Sequence, residues 1–412
     1  MVQHAAIYVS SKVDKDLLVQ EILKGILHHD FIGLASLKGE IFSKSVQEQF
    51  IDEELRHDHF EINAAKKRSL ISFSDGEQKK VLLNHLISKV PDFIILDNIF
   101  DNLDIASQGQ LAQDLTGLSH STIIIQLMNR RSDVLPFIEQ VYLFENNTIV
   151  LEGGRNQSKT GKDFFALSSI VPSPLQENTL QHDPLVKFTN VSVQYEERII
   201  VSKINWEINT GEFWQLIGPN GSGKSTLLSM ITGDNPKAYN QDLLLFGKKK
   251  GSGETVWEIK AKIGYLNSLM IHLFSRRDTI EQMVISGFYD SVGLYIKPTE
   301  LQIKLADEWL KLIGMFGMKH KVFVDLTAGE QRLVLIVRAM VKHPPLLILD
   351  EPTTGLDDVD ASIFVALVNK IAAETTTAII YVSHRKEEGL KPTFVYELIA
   401  SEEGSYGVSR RD

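Results

Sequence analysis

The sequence predicts an α/β protein with two tandem domains built on one plan, of which the first is truncated and degenerate. Residues 91–104 (PDFIILDNIFDNLD) and 344–357 (PPLLILDEPTTGLD) are near copies that lie 253 positions apart. In each copy a polar turn (FSDGEQ or LTAGEQ), a helical pattern and a proline precede an apolar run that ends at an aspartate. A helix followed by a buried strand is typical of a parallel sheet covered by helices.

Length and composition limit the class of protein. The chain has 412 residues, which suffices for two domains. The formal net charge of -10 disfavours a surface that neutralises nucleic-acid phosphates. The sequence contains no cysteine, so disulfides and thiolate metal sites are excluded. No apolar run approaches the roughly 18 residues that span a bilayer, and the start has no signal-peptide pattern. We expect a cytoplasmic protein, which reaches the inner face of the membrane only through a partner.

A region rich in Gly, Ser, Asn and Pro separates the two copies. Residues 152–184 (EGGRNQSKTGKDFFALSSIVPSPLQENTLQHDP) carry this composition and are predicted to form a linker. Alternating strand patterns, VKFTNVSVQY and KINWEIN, begin directly after it. The predicted domains are therefore residues 1–151 and residues 185–412.

The second domain carries a phosphate-binding loop. Residues 218–225 (GPNGSGKS) match G-x-x-x-x-G-K-S between a strand pattern and a helical one, as in a P-loop. Its glycines let backbone N–H groups surround phosphate oxygens at a helix start. We expect Lys224 to reach the β- and γ-phosphates, Ser225 to bind Mg²⁺ and Thr226 to add a phosphate contact. The predicted ATP-binding loop residues are Gly218, Pro219, Asn220, Gly221, Ser222, Gly223, Lys224, Ser225 and Thr226.

Four further residues complete the predicted site. Asp350 ends the apolar strand of LLILDEP, where it can hold Mg²⁺, and Glu351 can orient or deprotonate the attacking water. His384 follows the apolar run TAIIYVSH and is placed to sense the γ-phosphate; the alternative is a histidine that only caps the strand. Tyr195 precedes the P-loop and is placed to stack on adenine; the alternative is a core or surface aromatic residue. The predicted catalytic residues are Glu351, His384 and Lys224, and the predicted metal ligands are Ser225 and Asp350.

The P-loop, LTAGEQR (326–332), ILDEP, GLD and the late histidine, in this order, resemble the ATP-binding cassette (ABC) ATPases. The resemblance covers nearly all of residues 185–390. More narrowly, the chain resembles the fused tandem ATPases of the molybdenum-transport ModF and photorepair PhrA type, strongly in the second domain and weakly in the first. The resemblance implies a hydrolase that uses ATP and Mg²⁺ in a transport-related process. It also implies head-to-tail domains, with the P-loop of one facing the signature helix of the other.

The first domain has lost the residue types that catalysis needs. The segment Ser10 to Asp16 contains no glycine and so cannot wrap a phosphate. Asn98 replaces the acid, and Asn129 falls near the position of the late histidine, so neither can act as a base. Lys15 is either a relic of the P-loop lysine or, as we expect, a solvated surface residue.

The first domain nevertheless retains the signature. FSDGEQ keeps Ser74 and Gly76, whereas LTAGEQ has Thr327 and Ala328 at the corresponding positions. The resemblance implies that Ser74 and Gly76 complete the ATP site of the second domain from across the interface. The chain then has one competent composite site. The alternative is a decayed first domain that contributes packing alone.

The coupled process is open at this stage. The glutamine that the family carries after a strand such as IGYVPQ is replaced by Ser268, with Asn267 beside it, which weakens the transporter interpretation. The partner is either an integral-membrane permease or the soluble target of a stand-alone ATP-driven switch. A module that binds ATP without turnover is disfavoured by the presence of Glu351 and His384.

Overall fold

The computed structural model describes residues 3–10, 13, 15–24, 29–57, 73, 75–145, 147–154, 167, 170–175, 183–274, 277–385 and 387–411. The chain divides into two compact units. The first comprises Met1–Asp163 with Gly355–Val359, and the second comprises Phe164–Thr354 with Asp360–Asp412.

The first unit is built on a single six-stranded sheet. Its strands are β1 (Ala5–Val9), β2 (Gly39–Phe42), β3 (Phe93–Asp97), β4 (Ile123–Met128), β5 (Gln140–Glu145) and β6 (Thr148–Gly154). They are ordered β2-β3-β4-β1-β5-β6, and all neighbours pair in parallel except β5 and β6. Its helices are α1 (Lys15–Leu23), α2 (Lys44–His57), α3 (Asp75–Ser88) and α4 (Ile105–Leu118).

The first sheet is buried on both faces, which explains its continuous apolar strands. All five residues of β1 are buried. Ala6 and Tyr8 belong to the hydrophobic cluster that includes residues of α3 and α4, whereas Ala5, Ile7 and Val9 belong to the cluster that includes residues of α1. Side chains alternate between the faces of a strand, so a strand covered on both sides needs apolar residues at every position.

The second unit contains a larger set of elements. Its strands are β7 (Val186–Tyr195), β8 (Arg198–Ile208), β9 (Phe213–Ile217), β10 (Leu243–Leu245), β11 (Lys248–Lys249), β12 (Ile263–Asn267), β13 (Leu346–Asp350), β14 (Ala378–Val382), β15 (Phe394–Ile399) and β16 (Tyr406–Arg411). Its helices are α5 (Lys224–Ile231), α6 (Val256–Lys260), α7 (Ile280–Ser286), α8 (Glu300–Leu312), α9 (Ala328–Met340) and α10 (Asp358–Glu374).

The central sheet of the second unit repeats the topology of the first. Its order is β12-β13-β14-β9-β15-β16, with the last strand antiparallel, so β1 corresponds to β9 and β3 to β13. An antiparallel sheet of order β11-β10-β7-β8 is added to it. Within its described residues the first unit has no second sheet. The predicted α/β fold with a truncated first copy is therefore confirmed.

The strand order places the predicted catalytic segments at one edge of the second sheet. Strands β13, β14 and β9 are adjacent and parallel, so their carboxyl ends point the same way. Asp350 ends β13, His384 follows β14, and the P-loop follows β9. Ligands of open α/β sheets bind at this edge.

Among the helices that the structure describes, none combines the length and the apolarity needed to span a membrane.

Candidate functional site

The P-loop requires glycine at two positions, because of both backbone conformation and space. Gly218 has φ 153° and Gly223 has φ 99°, in the region that favours glycine. A Cβ on Gly223 would lie 2.4 Å from Val201 Cγ1, and one on Gly218 would lie 2.9 Å from the carbonyl oxygen of Leu398. Neither position has room for a side chain, so the backbone of the loop packs directly against β8 and β15.

The side chains of the loop present groups that suit a phosphate. Lys224 is buried at the first position of α5, and its Nζ donates to the carbonyl oxygens of Gly218 and Pro219 at 2.8 and 2.9 Å. Ser222 Oγ is buried and has no hydrogen-bond partner among the described residues. A buried cation and an unsatisfied hydroxyl at a helix start fit an anionic ligand. Ser225 and Thr226 lie in the same first helical turn.

Asp350 lies in a partly apolar setting that opposes its charge. Burial, followed by the charge of Glu351, raises the pKa of Asp350 to about 6. Tyr265 Oη donates to Asp350 Oδ2 at 3.4 Å. Burial and the charge of Asp350 raise the pKa of Tyr265 to about 12, so this hydroxyl keeps its proton. A divalent cation would compensate the buried carboxylate, so Asp350 fits the role of a Mg²⁺ ligand.

Glu351 and His384 form a close pair. His384 Nε2 donates to Glu351 Oε1 at 2.6 Å. Burial favours the neutral acid, but the hydrogen bond and charge of His384, with the charge of Lys224, hold the pKa of Glu351 below its ordinary value. His384 Nδ1 is buried without a hydrogen-bond partner in the described part of the chain. His384 thus bonds to the predicted catalytic carboxylate, and its role at the γ-phosphate stays a prediction.

Tyr195 is not a core residue. It ends β7, its side chain is 41% exposed, and its Oη accepts a hydrogen bond from Asn235 Nδ2 at 2.9 Å. The ammonium of Lys237 lies 5.7 Å from the centroid of the tyrosine ring. The hydrogen bond orients the ring while much of its surface stays open. This geometry suits a stacking platform, and adenine stacking stays a prediction.

The start of the signature helix of the second unit is occupied by side chains of the same unit. Thr327 caps α9: its Oγ1 accepts from the Glu330 N–H at 3.3 Å, and the Glu330 carboxylate accepts from the Thr327 N–H at 2.9 Å. A Cβ on Gly329 would lie 2.2 Å from the carboxyl carbon of Asp360, so that carboxylate stands directly against the helix start. Groups that would otherwise attract an external anion are thus engaged internally.

The signature of the first unit is described only in part. Ser74 lies outside the described residues. Gly76 lies in the first turn of α3, half-buried, and a Cβ on it would lie 3.3 Å from Leu103 Cδ2. The roles of Ser74 and Gly76 in ATP binding stay predictions.

Lys15 is not the solvated surface residue that the sequence suggested. Its Nζ donates to Asp97 Oδ1 at 2.6 Å, and each side chain is only 19% exposed. The sequence-based expectation was wrong because the partner lies 82 positions along the chain and is brought close only by the strand order, in which β1 and β3 flank β4. Asn98 Oδ1 accepts from the backbone N–H of Asn129 at 3.1 Å.

Sequence patterns place Ser268 at the position of the family's glutamine and give no role to Asn267 or to the cavity beside the predicted metal ligands. A cavity of about 600 Å³ reaches Ser225 and Asp350 and is also lined by Tyr265, Asn267, Met270 and Phe274. Asn267 Oδ1 is buried without a hydrogen-bond partner among the described residues. Asn267, rather than Ser268, thus lines the cavity with the predicted metal ligands, opposite Asp350 in the register of β12 and β13, and no pattern in the sequence signals that register.

Comparisons with known proteins agree with this geometry. A family model described as ABC transporter matches residues 201–354. The chain is 39% identical over 344 residues to the ABC transporter ATP-binding protein ModF of Escherichia coli, covering 80% of this chain and 70% of that protein. The chain belongs to the ABC transporter ATP-binding proteins. It is an ABC-type ATPase whose resemblance to ModF was predicted correctly.

One further sequence relative and one solved structure match most of the length of this ABC ATPase. An uncharacterized ABC transporter ATP-binding protein, C323.04, of Schizosaccharomyces pombe is 29% identical over 325 residues, covering 78% of this chain and 66% of that protein. A chain in a model of ribosome-bound archaeal Pelota and ABCE1 matches 99% of this chain and 75% of its own, with a TM-score of 0.66 and 14% identity. At that identity the match shows the fold alone.

Proposed function

We propose that this ABC ATPase hydrolyses ATP at one composite site, formed by the P-loop of the second unit and the signature of the first. The observation that carries the proposal is the Glu351 carboxylate, held charged by His384 at 2.6 Å, next to Asp350 at the P-loop edge of the sheet. The first unit has neutral amides, Asn98 and Asn129, at the corresponding places.

The residues of the second unit divide the chemistry among them. Lys224 and the loop N–H groups bind the β- and γ-phosphates, and Tyr195 stacks on adenine. Asp350 and Ser225 hold Mg²⁺, which balances the phosphate charge when bound. Glu351 orients a water and accepts its proton while that water's oxygen bonds to the γ-phosphorus and the bond to the β-phosphate oxygen breaks.

The first unit supplies the remaining contacts in this proposal. Ser74 and the backbone N–H of Gly76 bind the γ-phosphate from the head-to-tail partner domain, as a helix start binds an anion. The domains of the proposal are residues 1–151, a linker at 152–184, and residues 185–412. A linker of this length keeps the two domains of one chain at high local concentration, which favours pairing within the chain.

A pair of arginine substitutions at corresponding signature positions tests the composite site. We expect Ser74→Arg to abolish steady-state ATP hydrolysis, because the bulky side chain fills the space of the γ-phosphate. The matched variant Thr327→Arg is expected to retain most of the turnover, because that signature serves no competent site. Equal loss in both variants, or full activity of Ser74→Arg, would rule out the asymmetric assignment.

The process energised is proposed to be transport-related, with a membrane permease as partner and the ATPase at the inner face of the membrane. The relation to an ABC transporter ATP-binding protein supports this, as does the partly apolar cavity beside the metal ligands, where a partner could sense the nucleotide. The second candidate is a soluble switch, favoured by the replacement of the usual glutamine by Ser268 and Asn267. Copurification of the ATPase with an integral-membrane protein from detergent-solubilised membranes supports the first candidate. Failure of any membrane protein to copurify supports the second.

A further inference from the structure

The first unit contains an ion pair at the place that corresponds to the metal and phosphate site of the second. Lys15 begins the helix after β1, as Lys224 begins the helix after the corresponding β9. Asp97 ends β3, as Asp350 ends the corresponding β13. In the first unit these two side chains bond directly at 2.6 Å, with each 19% exposed.

The two lysines have different partners in the two units. Lys224 Nζ donates to carbonyl oxygens of its own glycine loop, and among the described residues the hydrogen bond that Asp350 accepts is a long one of 3.4 Å from Tyr265. That arrangement leaves a buried carboxylate without a full cationic partner. In the first unit the corresponding carboxylate already has a cation, supplied by the chain itself.

In the first unit two asparagines that hydrogen-bond to each other stand in place of the predicted catalytic pair of the second unit. Asn98 has φ 43°, close to the 49° of Glu351, so the backbone shape after the strand is retained. The Asn98 side chain accepts from the Asn129 N–H at 3.1 Å, where Glu351 bonds to His384. In the first unit the charges of Lys15 and Asp97 cancel and the two asparagines are neutral, so these four residues have no net charge. The corresponding residues of the second unit include two carboxylates and one lysine. The residues of the first unit do not fit a magnesium nucleotide.

We propose that the Lys15 ammonium is a built-in substitute for the bound cation, so that the first unit stays folded in every nucleotide state. It follows that each chain binds one nucleotide only. This inference concerns the first unit alone, and it holds whether or not the two units share an active site. It assigns to the first unit a constant scaffold role that needs no ligand.

The first test is the stoichiometry of nucleotide binding in the full-length chain. We expect calorimetric titration of Glu351→Gln with ATP and Mg²⁺ to give one site per chain, and a Lys224→Ala, Glu351→Gln variant to give none. Two sites in the first variant, or one remaining site in the second, would overturn the inference. This readout does not depend on hydrolysis, so failure of the composite ATPase site would be seen separately.

The second test breaks the ion pair. In full-length protein without nucleotide, Lys15→Met is expected to lower the unfolding midpoint of the first unit by about 5 °C. Hydrogen exchange of the backbone amides of β1 and β3 measures this change. Millimolar Mg²⁺ alone should restore part of the loss, because Asp97 then lacks a cation. Wild-type protein and the control Lys24→Met, at an exposed position directly after the same helix, should show neither effect.

The double variant Lys15→Met, Asp97→Asn decides between a charge pair and mere packing. If Lys15 acts as a cation, the double variant is more stable than Lys15→Met and does not respond to Mg²⁺. If the double variant loses the sum of both single changes, or if Mg²⁺ stabilises wild type and variant equally, the substitution role is refuted.

Discussion

Replacing Asp350 by asparagine is expected to stabilise the second unit while it removes the proposed metal ligand. Burial raises the pKa of Asp350 to about 6, from an ordinary value of 3.8. That difference corresponds to a cost of about 3 kcal/mol for holding the carboxylate charged in the ligand-free protein. The Asp350→Asn variant keeps the shape of the side chain without the charge, so we expect about 1 to 3 kcal/mol of added stability at pH 8.

The pH dependence of this gain follows from the sign of the pKa change. The folded carboxyl binds its proton more tightly than the unfolded one, so the wild type gains stability as the pH falls through 6 towards 3.8. Between pH 8 and pH 5 this gain amounts to about 1 kcal/mol, and the asparagine variant lacks it. The advantage of Asp350→Asn should therefore shrink by that amount at pH 5.

Tryptophan fluorescence is a suitable assay because all four tryptophans, Trp206, Trp214, Trp257 and Trp309, lie in the second unit. Urea unfolding followed at pH 8 and pH 5 gives the two differences in unfolding free energy. Asp97→Asn is the matched control. Its unfolding is measured by circular dichroism, and the substitution should destabilise the first unit because Lys15 loses its partner. An Asp350→Asn variant that is less stable than wild type at pH 8, or whose advantage does not depend on pH, would refute the reasoning.

Two further predictions concern turnover and nucleotide affinity. Glu351→Gln should lower kcat by about 100- to 10,000-fold while ATP still binds, and Asn98→Ala should change kcat less than about twofold, as measured by phosphate release; unchanged turnover in Glu351→Gln would exclude Glu351 as the base. Tyr195→Ala should raise the Kd for a fluorescent ATP analogue by about tenfold because a stacked base is lost, whereas Tyr195→Phe should retain most of the affinity. Equal affinities of the alanine and phenylalanine variants would argue against stacking.

Local patterns were enough to predict the parts of the site that depend on neighbouring residues in the chain. The P-loop is one continuous segment, and its glycines are required by the backbone conformation that Gly218 and Gly223 adopt. Asp350 and Glu351 follow a fully apolar run, which is what a strand buried on both faces must be. The repeat likewise predicted two domains built on one α/β plan.

Contacts between distant segments could not be predicted in this way. The Lys15 and Asp97 pair joins the start of the helix after β1 to the end of β3, two strands that flank β4, and the spacing of the two residues in the chain carries no trace of it. The same holds for Asn267, whose position opposite Asp350 depends on the register of β12 and β13.

The sequence by itself determined that this protein binds nucleotide phosphate in its second half, because a glycine-rich turn before a helix has its function in its own backbone. It also determined that the first half lost the acid, since asparagine has no titratable group. Only the tertiary structure decided how the remaining charges are compensated. Strand order brings Lys15 to Asp97 and His384 to Glu351. Burial opposes the charge of both Asp350 and Glu351, and the bond to His384 then holds the pKa of Glu351 low while that of Asp350 is raised.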